Sequence, residues 1–240
     1  MELSYQDFKK RACDNSLTRR EKVGFPESYR NGKEEFILND ICSKLEILNN
    51  AEQNVLDLGC GCSELVDLFI NFSIDSNKNL YLIDSEEMLS QISSENITNE
   101  RIHSISGKFP DMHLPEVKFD AIVAYSVIPI VFLDQSIFKF IHSCLEMLKP
   151  KGRLLLGDLP NISKRNRFIS SHEGQLFLSN DTSQNKNVNY TVEGKERMDD
   201  SVVLSILSRY RNFGYETYLL PQDNRLPFAN RREDILIVNY

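Results

Sequence analysis

The stretch that most limits how this chain can fold is Val55-Leu-Asp-Leu-Gly-Cys-Gly-Cys-Ser63. Val55–Leu58 is short and mostly apolar, as a buried strand is. Two glycines follow. Ser63 then stands at the cap position before Leu65, Leu68, Phe69 and Phe72, which recur at helical spacing. Strand, tight turn and helix form the opening unit of a doubly wound α/β sheet. Such sheets bind ligands in the crevice beyond the carboxyl ends of the strands. Gly59 and Gly61 allow positive φ and close approach of the backbone to a ligand. A dinucleotide site requires a third glycine three residues further on, facing a pyrophosphate. Here that position is Glu64, whose bulk and negative charge oppose a phosphate. Asp57, just ahead of the turn, suits a cationic ligand instead.

The rest of the chain repeats the alternation. Strands are expected at Leu80–Ile83, Ile102–Ile105, Ala121–Ala124 and Leu154–Leu156, with a helix over Ile137, Ile141, Leu145 and Leu148. Ile37, Ile41, Leu45 and Leu48 predict a helix in the first fifty residues, after a structured loop at Gly24–Arg30. A helix from Asp199 to Asn212, ending at Gly214, precedes two apolar stretches, Tyr215–Leu220 and Asp234–Val238, expected as a terminal antiparallel pair. The least ordered-looking part is Asp181–Asn189. The division expected is one domain over 1–240. It comprises a helical cap (1–50), a cofactor-binding core (51–158), a substrate-side insertion (159–196) and a closing helix and strand pair (197–240). Asp84 ends the second strand about twenty residues past the glycines, where a carboxylate can accept from two neighbouring hydroxyls.

Four segments, DLGCG, LIDSEEML, FDAIVAYSVI and LKPKGRLLLGD, occur in this order over about residues 50–158. They resemble the successive motifs of class I S-adenosylmethionine-dependent methyltransferases. The resemblance implies a Rossmann-like α/β fold: a seven-stranded, mostly parallel sheet with an antiparallel last strand, plus an N-terminal helical cap. It implies S-adenosyl-L-methionine as cofactor, with the backbone at Gly59 and Gly61 against the methionine part, Asp84 on the ribose, and Asp57, Cys60, Ser85 and Met88 also among the cofactor-binding residues. Lys108 and Phe109 would flank the adenine, and Ala124 and Tyr125 would border the sulfonium. Many relatives carry an acid after the glycine that Gly107 matches, whereas this chain has Lys108.

The end of the fourth strand reads Ala124-Tyr-Ser-Val. It lacks the Pro-Pro-aromatic motif that enzymes methylating amino groups of DNA bases share there. Net charge is −7, which also argues against a nucleic-acid partner. Lys164, Arg165 and Arg167 lie on the segment leaving the fifth strand, and they predict a pocket for an anionic acceptor, since Arg grips phosphate bidentately. Phe25, Tyr29 and Arg30 are expected to close that pocket. Transfer to a hydroxyl needs a base or a strong acceptor. Asp158 is the first candidate, with Tyr125 and His172 behind it.

GFPESYR, GDLPNISKRNRF and LPQDNRLPFANRREDILI loosely resemble methyltransferases of bacterial surface-polysaccharide biosynthesis. That favours O-methylation of a sugar, a nucleotide-linked sugar or an attached phosphorus-containing group. A methyltransferase acting on protein or RNA, and a non-catalytic cofactor binder, are the alternatives. The five cysteines are scattered and suggest no disulfide framework, and no ligand spacing suggests a metal. The longest apolar run, Ala121–Leu133, is too short to span a membrane. The expectation is a cytoplasmic monomer or homodimer.

Overall fold

The computed structural model describes residues 3–25, 30–113, 116–180 and 198–240. Tyr29 and Asp181–Asn189 lie outside these residues. Seven strands form one sheet in the order β3-β2-β1-β4-β5-β7-β6. They are β1 (Asn54–Leu58), β2 (Asn79–Asp84), β3 (Ile102–Ser106), β4 (Phe119–Tyr125), β5 (Leu148–Pro160), β6 (Glu216–Pro221) and β7 (Arg232–Val238). The first five run parallel, whereas β7 is antiparallel to both β5 and β6. This is the class I methyltransferase arrangement expected from the motifs. Strand order reverses between β1 and β4, so the crevice opens above the carboxyl end of β1.

Successive strand residues face opposite sides of the sheet, and the core divides accordingly. Leu56, Leu58, Ile122, Leu154 and Leu156 join one apolar layer, completed by Phe140, Ile141 and Cys144 of one helix and Val203, Ile206 and Tyr210 of another. Val55, Leu80, Leu82, Val123 and Leu155 join the opposite layer, completed by Ile37, Ile41, Val66, Phe69 and Ile70. Both faces are thus covered by helices, as a buried parallel sheet requires.

In chain order the helices begin with α1 (Tyr5–Cys13), α2 (Arg19–Lys22) and α3 (Glu34–Lys44). The helix expected through Leu48 stops at Lys44, and a 3₁₀ turn over Glu46–Asn49 then buries Leu48. Next come α4 (Glu64–Asp75), α5 (Glu86–Leu89) and α6 (Ser94–Ile97). Ser63 occupies the N-cap position of α4, yet its hydroxyl makes no capping bond and the residue instead lines a cavity. α7 (Ile128–Asp134) is not foreseen in the sequence; Pro129 stands in its first turn, and all of it but Asp134 lies inside the apolar run 121–133. There follow α8 (Ile137–Glu146), α9 (Ile162–Ile169), α10 (His172–Asn180) and α11 (Asp200–Asn212). No helix of the described residues is long and apolar enough to cross a membrane.

Candidate active site

A cavity of about 530 Å³ opens above the carboxyl ends of β1, β2 and β4. One end is built on the glycine turn. Gly59 and Gly61 have φ of 70° and 64°. A Cβ at Gly59 would sit 2.5 Å from Val127 Cγ2, and one at Gly61 would sit 2.7 Å from Val23 Cγ1. Both positions therefore require glycine, for conformation and for space. The amide of Gly59 donates to the Ile83 carbonyl at 2.7 Å, which ties the turn to β2.

Asp84 completes that tie. One carboxylate oxygen accepts from the Gly61 amide at 2.8 Å and the other from the Ser85 amide at 2.6 Å. Each oxygen keeps lone-pair capacity for a ligand. Burial pushes the Asp84 carboxyl up to about 6, against the hydrogen bonds from Ser85 and Gly61, which lower it. Burial, with repulsion from Asp84, pushes Asp57 up to about 7. A cationic ligand beside this pair favours its ionised form.

The cavity separates the residues expected around a cofactor. Gly59, Cys60, Gly61, Asp84, Met88, Lys108, Phe109 and Tyr125 line it. Asp57 and Ala124 are buried in their strands and do not, and Ser85 caps α5 through a bond from the Met88 amide to its hydroxyl. The acid missing after Gly107 has a counterpart from another element. Asp134, the last residue of α7, lines the same wall, where it accepts from the Tyr5 amide at 3.0 Å and sits 3.7 Å from Lys108 Nζ. The N-terminal segment roofs this end through Leu3, Tyr5, Phe8 and Val23.

The opposite end departs from the sequence reading. Asp158 does not line the cavity. Its Oδ2 accepts from Ser126 Oγ at 2.5 Å, from Arg30 at 3.2 Å and from Arg232, while its Oδ1 accepts from Gln222 at 3.3 Å. Both of its oxygens are thus engaged behind the wall. His172 is exposed at the start of α10 and outside the cavity. Tyr125 does line the cavity, and burial raises its hydroxyl well above the ordinary tyrosine range, which leaves it protonated. Its ring lies over Gly157, where a Cβ would come within 2.3 Å of Tyr125 Cδ2.

The basic cluster also divides. Arg165 lines the cavity, but Lys164 turns away to donate to the Arg232 carbonyl at 2.6 Å. Arg167 is exposed and paired with Asp200 at 2.5 Å. In their place Arg231, just before β7, and Arg232, its first residue, join Arg30 and Arg165 in the lining, together with Phe25 and Phe228. Their signal in the sequence is the Arg-Arg pair of ANRRED.

Residues 55–152 match the model of a family described as a methyltransferase domain. No curated protein matches the sequence. Among solved structures, the chain is similar to the plantazolicin methyltransferase BpumL in complex with a triazolic desmethylPZN analog and SAH. That pair shares 11% identity, covers 98% of both chains and has a TM-score of 0.61. It is also similar to the N-methyltransferase NodS of Bradyrhizobium japonicum WM9, in complex with S-adenosyl-L-homocysteine, at 13% identity, 99% of both chains and a TM-score of 0.60. A third similar structure is the plantazolicin methyltransferase BamL, at 13% identity over 98% of this chain and 97% of that one, with a TM-score of 0.61. At such identities the likeness is one of fold, and it extends over the whole length.

Proposed function

We propose that this chain is an S-adenosylmethionine-dependent methyltransferase acting on a small molecule. The observation that carries the reading is the glycine turn braced by Asp84. Gly59 and Gly61 leave room that any Cβ would fill, and Asp84 is an acid held in place by Gly61 and Ser85 with capacity to spare. These residues fit a ligand with a cationic methionine part and a ribose. The similar structures holding S-adenosylhomocysteine support the same choice.

In this reading Gly59 and Gly61 hold the amino-acid part and Asp84 accepts from the ribose hydroxyls. Met88 and Phe109 enclose the adenine, with Lys108 and Asp134 beside it. The bound cofactor supplies an activated methyl group on a positively charged sulfur. Tyr125 and Ser126, at the tip of β4, border that sulfur and orient the acceptor. Among the described residues, no histidine lines the cavity, and the two lining carboxylates, Asp84 and Asp134, belong to its cofactor end. The protein's contribution is therefore alignment, which alone accounts for a large share of a displacement barrier.

For the acceptor we favour a sugar, a nucleotide-linked sugar or a phosphorus-containing group attached to one, a choice that the basic lining supports. Transfer of a labelled methyl group to a panel of such compounds tests it. Calorimetry tests the cofactor: saturable binding of S-adenosylmethionine and its demethylated product is expected, with no comparable affinity for NAD. Gly59→Val should abolish that binding. Binding of NAD in place of S-adenosylmethionine would defeat the reading.

A further inference from the structure

We propose that the acceptor end of the cavity is an oxyanion-binding subsite whose principal donor is Arg165, backed by Arg231 and Arg232. It takes a carboxylate or a phosphate monoester whose body packs against an apolar wall. This deepens the methyltransferase reading and rests on it only for the identity of the neighbouring ligand.

Three observations converge. The first is charge. Four arginines line the cavity in a chain of net charge −7, and the lining acids, Asp84 and Asp134, stand at its other end. Arg30 and Arg232 share the carboxylate of Asp158 behind the wall, which offsets one of their two charges. Glu233 and Asp234, on the same strand as Arg232, are buried and engaged by Asn161 at 2.5 Å and Lys44 at 2.6 Å respectively. The surplus at this end is positive.

The second observation is an unmet donor. Arg165 Nε is buried with no hydrogen-bond partner. A buried N–H of this kind costs free energy unless a ligand or water accepts from it. Asn161, at the N-cap of α9, fixes the helix that carries Arg165 by accepting from the amides of Ser163 and Lys164 at 2.9 and 3.2 Å. The donor is therefore held on a helix rather than a loose arm.

The third is the shape of the surroundings. Arg30 stacks 3.5 Å from the Phe25 ring centroid, and Arg231 and Arg232 each lie 4.6 Å from that of Phe228. Stacking of this kind holds guanidinium planes fixed while leaving their edges for planar oxyanions. Phe25, Phe228, Ile162 and Met198 line the same end and provide apolar walls for the body of the ligand.

The test titrates the full chain with phenyl phosphate, benzoate and benzyl alcohol by calorimetry, with and without S-adenosylhomocysteine. The two acids should bind at least tenfold more tightly than the alcohol, and which acid binds better distinguishes phosphate from carboxylate. Arg165→Gln should weaken the preferred acid by roughly ten-fold or more, as expected for loss of a charge-assisted bond. S-adenosylhomocysteine affinity should not change. Arg167→Gln, outside the cavity, should alter neither. Equal affinity of acid and alcohol, or of the parent and Arg165→Gln, overturns the subsite. Should Arg165→Gln fail to fold, Arg165→Lys keeps the charge but loses the planar fork, and about a threefold or greater loss is expected. Unchanged acid binding in that variant overturns the subsite as well. A parent that binds phenyl phosphate but not S-adenosylhomocysteine sinks the methyltransferase reading and leaves the subsite standing.

Discussion

Asp84 sits where two demands on a single carboxylate meet. It must be buried enough to brace the Gly61 amide, and ionised to receive a cationic ligand. Burial holds it at about 6 and its neighbour Asp57 at about 7, both above the usual carboxylate range. The ligand-free native state therefore binds protons more tightly than the unfolded chain does. Between about pH 4 and pH 7 its stability falls as pH rises. A cationic ligand prefers the ionised pair, so S-adenosylmethionine affinity should rise across the same window and binding should release protons. Calorimetry at pH 6 in buffers of unlike ionisation heat measures that release, and a net proton exchange of zero would contradict it. Asp84→Ala should cost about 1–3 kcal/mol of binding, or roughly ten- to a hundred-fold in affinity, and should flatten the pH dependence.

At the scale of elements, the decisive contact is between the tips of β4 and β5. Ser126 and Asp158 both hold positive φ, 63° each, without being glycine. Such conformations persist only where the surroundings impose them. Here Ser126 donates to Asp158, Asp158 holds Arg30 and Arg232, and its own amide donates to Asp234 at 2.8 Å. Breaking one partner of a buried ion cluster leaves the other charges uncompensated. Asp158→Asn should therefore lower stability by about 3–5 kcal/mol, read as a shift of the urea midpoint. In an active preparation the shape of the pH–rate profile should stay the same. Loss of one limb of that profile would identify Asp158 as a base.

The same elements show what sequence can and cannot reveal. The turn from Val55 to Ser63 and the alternation of strands and helices are local, so periodicity and glycine spacing made them readable. Asp84 was readable because its distance from the glycines is set by one β-α-β unit. The placement of Asp158 behind the wall was not readable, because it depends on Arg30 and Arg232, which lie 128 and 74 residues away. Lys164, Arg165 and Arg167 looked alike as a run, yet on a helix they point three ways and only Arg165 reaches the cavity. Asp134 was missed because α7 is short and its apolar sequence continues that of β4.

Over the whole molecule, the N-terminal helices close the cofactor end by polar clamps. Arg19 donates to the Cys62 carbonyl at 2.5 Å and pairs with Asp67 at 2.6 Å, while Arg20 bridges Glu34 and Glu64 at 2.7 and 3.2 Å. Lys9 pairs with Glu87 at 3.1 Å on the far side. Arg19→Ala should loosen this roof without touching the glycine turn. We expect faster proteolysis within the first twenty-five residues, protection on adding S-adenosylhomocysteine, and several-fold faster cofactor release by stopped flow. Release at the parent rate would mean that the roof does not retain the cofactor.

The joining of Arg30, Asp158 and Arg232 also sets an order of assembly as the chain is made. The glycine turn, Asp84 and the four strands around them are complete once residue 125 has emerged from the ribosome. The acceptor end has to wait for residue 232, because until then Asp158 has no second guanidinium and β5 has no antiparallel neighbour. During that interval of more than a hundred residues, a nascent chain has its glycine turn and Asp84 but no finished place for an acceptor.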